Sequence, residues 1–121
     1  MKVGFSIVTA VALVLCASGP AFAHAQLRNA TPTVGGSVAA APSEISLNFS
    51  EALEPSFSTV VVRDAFGKRV DKADAHLDSN DRTTMRVSLP TLTEGTYIVV
   101  WRALSPDTHK TEGAFIFRVG K

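Results

Sequence analysis

The chain contains a single cysteine, Cys16, which lies inside the apolar stretch at the amino terminus. An intramolecular disulfide therefore cannot form, and the folded domain must be stabilised by its apolar core alone. An excess of charge of one sign is also lacking, because 12 Lys and Arg residues stand against 11 Asp and Glu residues. Without a basic stripe that could displace counterions, the composition argues against a nucleic-acid partner.

Long hydrophobic runs are confined to the first 23 residues. Lys2 supplies a positive charge before an apolar run, and Ala21-Phe22-Ala23 matches the small-x-small pattern of signal-peptide cleavage. The apolar run is short for a membrane span. Lipoprotein processing at Cys16 is the alternative, but Leu15 is bulky where a small residue is expected before the modified cysteine. We therefore predict a secretory signal peptide at residues 1–23.

The predicted mature chain, residues 24–121, has no cysteine and no segment that could span a bilayer. Its length suffices for one hydrophobic core but not for two domains. We therefore expect a periplasmic protein with a single domain, and we expect it to be a monomer.

Sustained helical periodicity is missing as well, and short runs of alternating apolar and polar residues replace it. Proline and glycine residues separate these runs, as between the strands of a two-sheet sandwich or a small barrel. The predicted strands are Ile45–Phe49, Phe57–Arg63, Met85–Leu89, Thr96–Leu104 and Phe115–Val119.

The segment "EGTYIVVW" favours the sandwich. After Gly95, Tyr97 is placed to make a tyrosine-corner hydrogen bond and Trp101 to fill the space between two sheets. The apolar residues of Thr96–Leu104 occupy both faces, as in a central strand. By contrast, Asp71–Thr83 is polar and is predicted to be the least ordered stretch.

The first candidate metal ligand is His24, which becomes the amino-terminal residue if cleavage follows Ala23. Its α-amine and its imidazole Nδ1 could then chelate one metal ion in a six-membered ring. The α-amine titrates near pH ~8, so a metal ion can displace its proton at neutral pH. The alternative is that signal peptidase merely tolerates a histidine here.

The second candidate is "SPDTHKTEG", in which Asp107 and His109 are two residues apart and project to one side of an extended chain. The alternative is an ordinary polar loop. Ser105 completes an apparent Ser-x-Asp-x-His, but a catalytic triad needs its base between the other two members and an oxyanion hole, and no GxSxG elbow is present.

Together, His24, Asp107 and His109 would offer three nitrogens and one oxygen, a set that suits tetragonal Cu(II) better than zinc or calcium. Soft ligands for Cu(I) are lacking, since the one methionine after residue 23, Met85, is predicted to lie in the core. Asp74-x-His76-x-Asp78 also carries ligand-type residues. It lacks the glycine and terminal glutamate of a calcium loop, so we favour a solvated loop and leave a second ion there open.

Four stretches resemble the CopC family of bacterial periplasmic copper-binding proteins. They are "HAQLRNATP", "APSEISLNFSEALE", "LTEGTYIVVWRALSPDTHKTEG" and "FIFRV", and in this order they cover nearly the whole of 24–121. The resemblance implies an all-β, seven-stranded Greek-key sandwich of immunoglobulin-like or cupredoxin-like type. It also implies one Cu(II) site, formed by the His24 amine and Nδ1, an Asp107 oxygen and the His109 imidazole. Glu51 matches a family glutamate near that site, where we expect it to orient the amino terminus.

Some family members carry a methionine-rich loop that binds Cu(I), whereas Asp64–Thr84 contains no methionine here. The resemblance therefore implies a Cu(II)-only protein that is not an enzyme. It would serve copper homeostasis or resistance by carrying or buffering one ion, and it would pass the ion to an inner-membrane copper transporter of the CopD type.

Two alternatives come from other classes. One is a copper oxidoreductase, because lytic polysaccharide monooxygenases also use an amino-terminal histidine chelate; Asp107 in an in-plane position and the short chain argue against it. The other is a metal-free sandwich that acts as an interaction module.

Overall fold

The computed structural model describes residues 25–120, which fold into two four-stranded β-sheets. In this part of the chain, no helix is long and apolar enough to cross a membrane. The only helical element within it is the 3₁₀ turn Pro55–Phe57. The strands are β1 (Leu27–Thr31), β2 (Ser37–Val38), β3 (Glu44–Phe49), β4 (Thr59–Asp64), β5 (His76–Asp78), β6 (Asp81–Ser88), β7 (Gly95–Leu104) and β8 (Lys110–Val119).

The first sheet has the strand order β1-β3-β6-β5 and the second sheet the order β2-β8-β7-β4. Neighbouring strands are antiparallel except β2 and β8, which are parallel. The chain changes sheet between β1 and β2, β2 and β3, β3 and β4, β4 and β5, and β6 and β7, as in a Greek-key sandwich. The predicted all-β sandwich is thus confirmed, with eight strands rather than seven, of which β2 and β5 are the shortest.

The core lies between the two sheets and is built from the alternating residues that the sequence pattern indicated. The Trp101 ring packs edge-on against Phe49, with ring centroids 5.1 Å apart. Gly113 lies opposite Trp101, and a Cβ atom there would come within 2.6 Å of the indole Cζ2. The Tyr97 hydroxyl donates to the Thr93 carbonyl at 2.6 Å, which confirms the predicted tyrosine corner. Its ring stacks on a phenylalanine of β8.

Two further predictions concern Met85 and the stretch Asp71–Thr83. Met85 is buried, as predicted. The prediction that Asp71–Thr83 is the least ordered stretch was wrong, since it holds β5 and the beginning of β6. Hydrogen bonds and ion pairs, rather than alternating apolar side chains, hold this segment in place. The Asp71 carboxylate accepts the Val62 amide at 2.7 Å, and Asp78 pairs with Arg86 at 3.0 Å.

Candidate metal centre

The loop that joins β7 to β8 carries both predicted ligands of the second candidate. The Ser105 amide donates to the His109 carbonyl at 3.1 Å, and the Thr108 amide donates to the Ser105 carbonyl at 2.9 Å. Thr108 has a φ of 70°, in the left-handed region that a tight reversal requires. The turn therefore folds the chain back within five residues and holds Asp107 and His109 on the same short loop.

The structure brings Asp107 and His109 together. The Asp107 Oδ2 and His109 Nδ1 atoms are 3.1 Å apart, and the two side chains are 47% and 46% exposed. Two donors that each lie about 2 Å from one ion and at this separation subtend about 100° at it, close to the angle between adjacent corners of a square-planar site. The separation of the pair is therefore compatible with two neighbouring positions around a tetragonal ion.

Ser105 positions Asp107, a role that the sequence reasoning missed. The serine side chain is buried at 2% exposure, and its hydroxyl donates to Asp107 Oδ1. This hydrogen bond, together with the contact to His109, lowers the pKa of the Asp107 carboxyl below its ordinary value. The carboxylate lies between serine and histidine, whereas a catalytic triad places the base in the middle. The arrangement thus supports the rejection of a hydrolase triad.

The beginning of the described chain is bound to the same end of the sandwich. Ala25 is fully buried, and its carbonyl accepts the Thr111 hydroxyl at 2.6 Å. Gln26 is held from both sides by Ser50, with its amide donating to the serine Oγ and its carbonyl accepting the serine amide, both at 2.9 Å. His24 lies outside the described residues. Ala25, which follows His24 in the sequence, is thus hydrogen-bonded to Thr111, two residues after His109.

The segment that contains Glu51 runs along the end of β7. The Glu54 amide donates to the Leu104 carbonyl at 2.8 Å, and the Leu104 amide donates to the Ser58 hydroxyl at 3.0 Å. Glu51 itself is half-buried and follows Ser50, which holds Gln26. The structure therefore places Glu51 in a segment that reaches this end of the molecule, and its predicted role toward the amino terminus stays a prediction.

The third candidate consists of Asp74, His76 and Asp78, and each of these side chains contacts a backbone group or Arg86. Asp74 Oδ1 accepts the Ser88 amide at 2.7 Å, and His76 Nδ1 lies 2.7 Å from the Asp74 carbonyl oxygen. Asp78 is paired with Arg86 and accepts the amide of the second residue after it. Within residues 25–120, no three His, Cys, Asp or Glu side chains converge on a point where they could hold a metal ion.

Comparison with known proteins assigns the family. The family model described as the CopC domain matches residues 27–120. The chain belongs to the CopC family. This match spans β1 to β8 and includes the loop with Asp107 and His109 as well as Glu51, and it begins three residues after His24.

Several relatives carry names that refer to copper, while Protein YobA of Escherichia coli, 36% identical over 99 residues that cover 81% of this chain and 80% of YobA, does not. Copper resistance protein C of Pseudomonas syringae pv. tomato is 37% identical over 120 residues, which covers 94% of each chain. Copper transport protein CutJ of Bacillus subtilis is 30% identical over 101 residues, which are 83% of this chain but 19% of CutJ. The crystal structure of PcoC, a methionine-rich copper resistance protein from Escherichia coli, superposes with a TM-score of 0.72. PcoC is 35% identical, and the superposition covers 80% of this chain and 99% of PcoC.

The described residues contain far less methionine than the description of PcoC as methionine-rich implies for that protein. Met85 is the only methionine between residues 25 and 120, and its side chain is buried at 1% exposure. This part of the chain therefore presents no thioether to solvent.

Proposed function

We propose that this CopC-family protein binds copper as a periplasmic carrier or buffer, and that it holds one Cu(II) ion per chain. Its ligands would be the His24 α-amine and Nδ1, an oxygen of Asp107 and the imidazole of His109. The observation that carries the proposal is the Asp107–His109 donor pair, with its 3.1 Å separation and its position beside the chain start. The proposal includes export, with the signal peptide 1–23 removed by cleavage after Ala23.

The chain start supports the inclusion of His24. Ala25, which follows His24 in the sequence, is buried and accepts a hydrogen bond from Thr111, two residues after His109. An amine, two imidazoles and a carboxylate form a donor set that Cu(II) prefers. The buried Met85 thioether supports a site for Cu(II) rather than Cu(I).

A carrier needs tight binding and release but no reaction step, and the position of Asp107 favours this role over an oxidoreductase. The Ser105 hydrogen bond keeps the carboxylate ionised and directed toward His109. A carboxylate fixed in this place would occupy an in-plane position that oxygen chemistry needs open. We therefore propose that the protein is not an enzyme.

Transfer of the ion to an inner-membrane copper transporter of the CopD type is part of the proposal. CutJ supports it, because there the matching region is about a fifth of a chain whose name refers to copper transport. A domain that is part of a transport protein in one relative can act on a separate transport protein when it occurs as a chain of its own.

The decisive experiment compares the mature protein that begins at His24 with a version that has one glycine before it. We expect the first to bind one Cu(II) with an electron paramagnetic resonance signal typical of three nitrogens and one oxygen. The added glycine removes the six-membered amine–imidazole chelate, so the signal should change and the affinity should fall at least tenfold. A protein with the extra glycine after Lys121 is the matched control. Identical behaviour of all three proteins would remove the support for His24 as a ligand.

Copper affinity should also fall with acidity. A metal ion binds an amine or an imidazole only in the unprotonated form, and the ordinary pKa is about 8 for an α-amine and about 6.5 for an imidazole. The lowered pKa of Asp107 keeps its carboxylate ionised throughout this range, so the nitrogen donors set the dependence. We expect the affinity for Cu(II), measured by competition with a chelator, to fall below pH ~8, where the amine gains its proton, and to fall more steeply below pH ~6.5, where imidazoles gain theirs. An affinity that is constant between about pH 7.5 and about pH 5.5, the range in which amines and imidazoles ordinarily gain protons, would contradict these ligands.

A further inference from the structure

Strand β7 carries apolar side chains on both faces, although the sandwich covers only one of them. Tyr97, Val99 and Trp101 point into the core and are buried. Ile98 and Val100 alternate with them and are only half-buried. A strand with two apolar faces is typical of a sheet that is covered on both sides. The second face of β7 thus indicates a surface that another molecule covers.

The neighbouring strands extend this apolar surface across the second sheet. Val61 of β4 and Ala114 of β8 flank Val100 in one row. In the next row Ile116 lies opposite Ile98. We call this solvent-facing side of β4, β7 and β8 the outer face.

Positive charge surrounds the apolar rows of the outer face. Arg63, Arg102, Lys110 and Arg118 are exposed on it, and Glu112 is the single acidic residue among the described strand positions of this face. Glu112 lies 3.4 Å from Arg102, with both side chains 72% exposed. Three cations are left over, on a chain whose total charge is only +1. The charge of the outer face is therefore local rather than a property of the whole surface.

Two shallow grooves follow the outer face toward the candidate metal centre. One, of about 220 Å³, lies between Val61, Val100 and Arg102. The other, of about 430 Å³, continues from Arg102 past Phe57 to Leu104 and Lys110. Leu104 immediately precedes Ser105, and Lys110 immediately follows His109. The grooves thus end where the donor pair begins, so a molecule seated in them would lie beside the ion.

We propose that the outer face docks an acidic and partly apolar surface of the membrane transporter that receives the copper ion. This inference rests on the proposed function. Charge complementarity selects the partner, because the surplus of cations favours a surface that carries carboxylates. A second copy of the chain would bring like charges together. A lipid bilayer fits less well, since the apolar side chains of the rows are short and the arginine side chains around them extend farther from the sheet.

The test measures binding of the copper-free protein to the CopD-type transporter of the same cells, purified in nanodiscs of zwitterionic lipid. The double variant R63E/R118E should bind at least tenfold more weakly than the wild type, mainly through a slower association rate. Wild-type binding should weaken as salt rises. The double variant R28E/K72E changes the net charge equally at exposed positions away from the outer face, and it should bind like the wild type. V100T keeps the shape of valine but replaces a methyl group by a hydroxyl, and we expect a severalfold loss of affinity.

Three further measurements decide between explanations. Thermal unfolding and Cu(II) affinity of R63E/R118E should equal those of the wild type, which separates docking from folding and from the metal site. Equal weakening by R28E/K72E, or no binding of the wild type up to 100 µM (about −5.5 kcal/mol), would overturn the proposal. Equally tight binding to protein-free vesicles of anionic lipid would overturn it in favour of a membrane surface. Failure of the wild type to bind Cu(II), with docking intact, would refute the proposed function alone.

Discussion

Replacement of His109 by alanine should lower the affinity for Cu(II) by about a hundredfold or more. Loss of a residue that only supports a ligand typically costs ten- to a hundredfold in metal affinity, and loss of a ligand itself should cost at least the upper end of this range. The His109 side chain is nearly half exposed, so the substitution should leave the free energy of unfolding almost unchanged. Chelator competition would measure the affinity, and chemical denaturation would measure the stability.

His76→Ala is the matched control, because His76 is the other histidine in the described part of the chain and is exposed on β5. It should change the affinity less than twofold. S105A tests an intermediate case, since it removes the hydrogen bond that directs Asp107 while keeping all three proposed ligand residues. We expect S105A to weaken binding by about tenfold. An affinity of His109→Ala equal to that of the wild type would exclude His109 from the site.

Replacement of Trp101 by alanine should destabilise the fold by about 3–5 kcal/mol. The indole is 8% exposed, packs against Phe49 at 5.1 Å and lies over Gly113, which has no side chain to fill the resulting space. Such a loss is a large part of the total stability of a small domain. Urea unfolding followed by circular dichroism would measure this loss. Tryptophan fluorescence cannot be used, because the variant lacks the only tryptophan of the chain.

The control for Trp101→Ala is Phe57→Ala, a truncation of an aromatic side chain that is 68% exposed. It should cost less than about 0.5 kcal/mol, as surface substitutions usually do. Trp101→Phe keeps an aromatic ring against Phe49 and should be intermediate. Equal stability of Trp101→Ala and the wild type would mean that the core between the two sheets does not depend on the indole.

The sequence predicted the strands that alternate in polarity and also Thr96–Leu104, whose long apolar run indicates a central strand. Alternation placed Ile45 and Met85 in the core, where both are buried. It could not predict β5, because His76 and Asp78 are polar and this edge strand is held by hydrogen bonds and an ion pair. Strand β2 has two residues, which is too short for any alternation. Phe57 was expected in a strand but ends a 3₁₀ turn that begins with Pro55.

The candidate site shows a similar division. The spacing of Asp107 and His109 predicted that they share one side, and they lie within contact distance. The role of Ser105 could not be predicted, because a serine in a polar loop gives no sign in the sequence that it will be buried and will direct a carboxylate. The attachment of Ala25 to Thr111 joins residues 86 positions apart, so only the fold reveals it.

The fixed position of Ala25 and Gln26 has a consequence for when the protein becomes able to bind copper. On the proposed ligand set, the α-amine of residue 24 does not exist until a protease has cut the precursor, and the buried Ala25 and the bonded Gln26 fix which residue precedes them at the site. Removal of one residue too many or too few would leave the fold intact and the chelate absent. The precursor inside the cell would therefore lack the complete copper site, and cleavage of the signal peptide during secretion would create it.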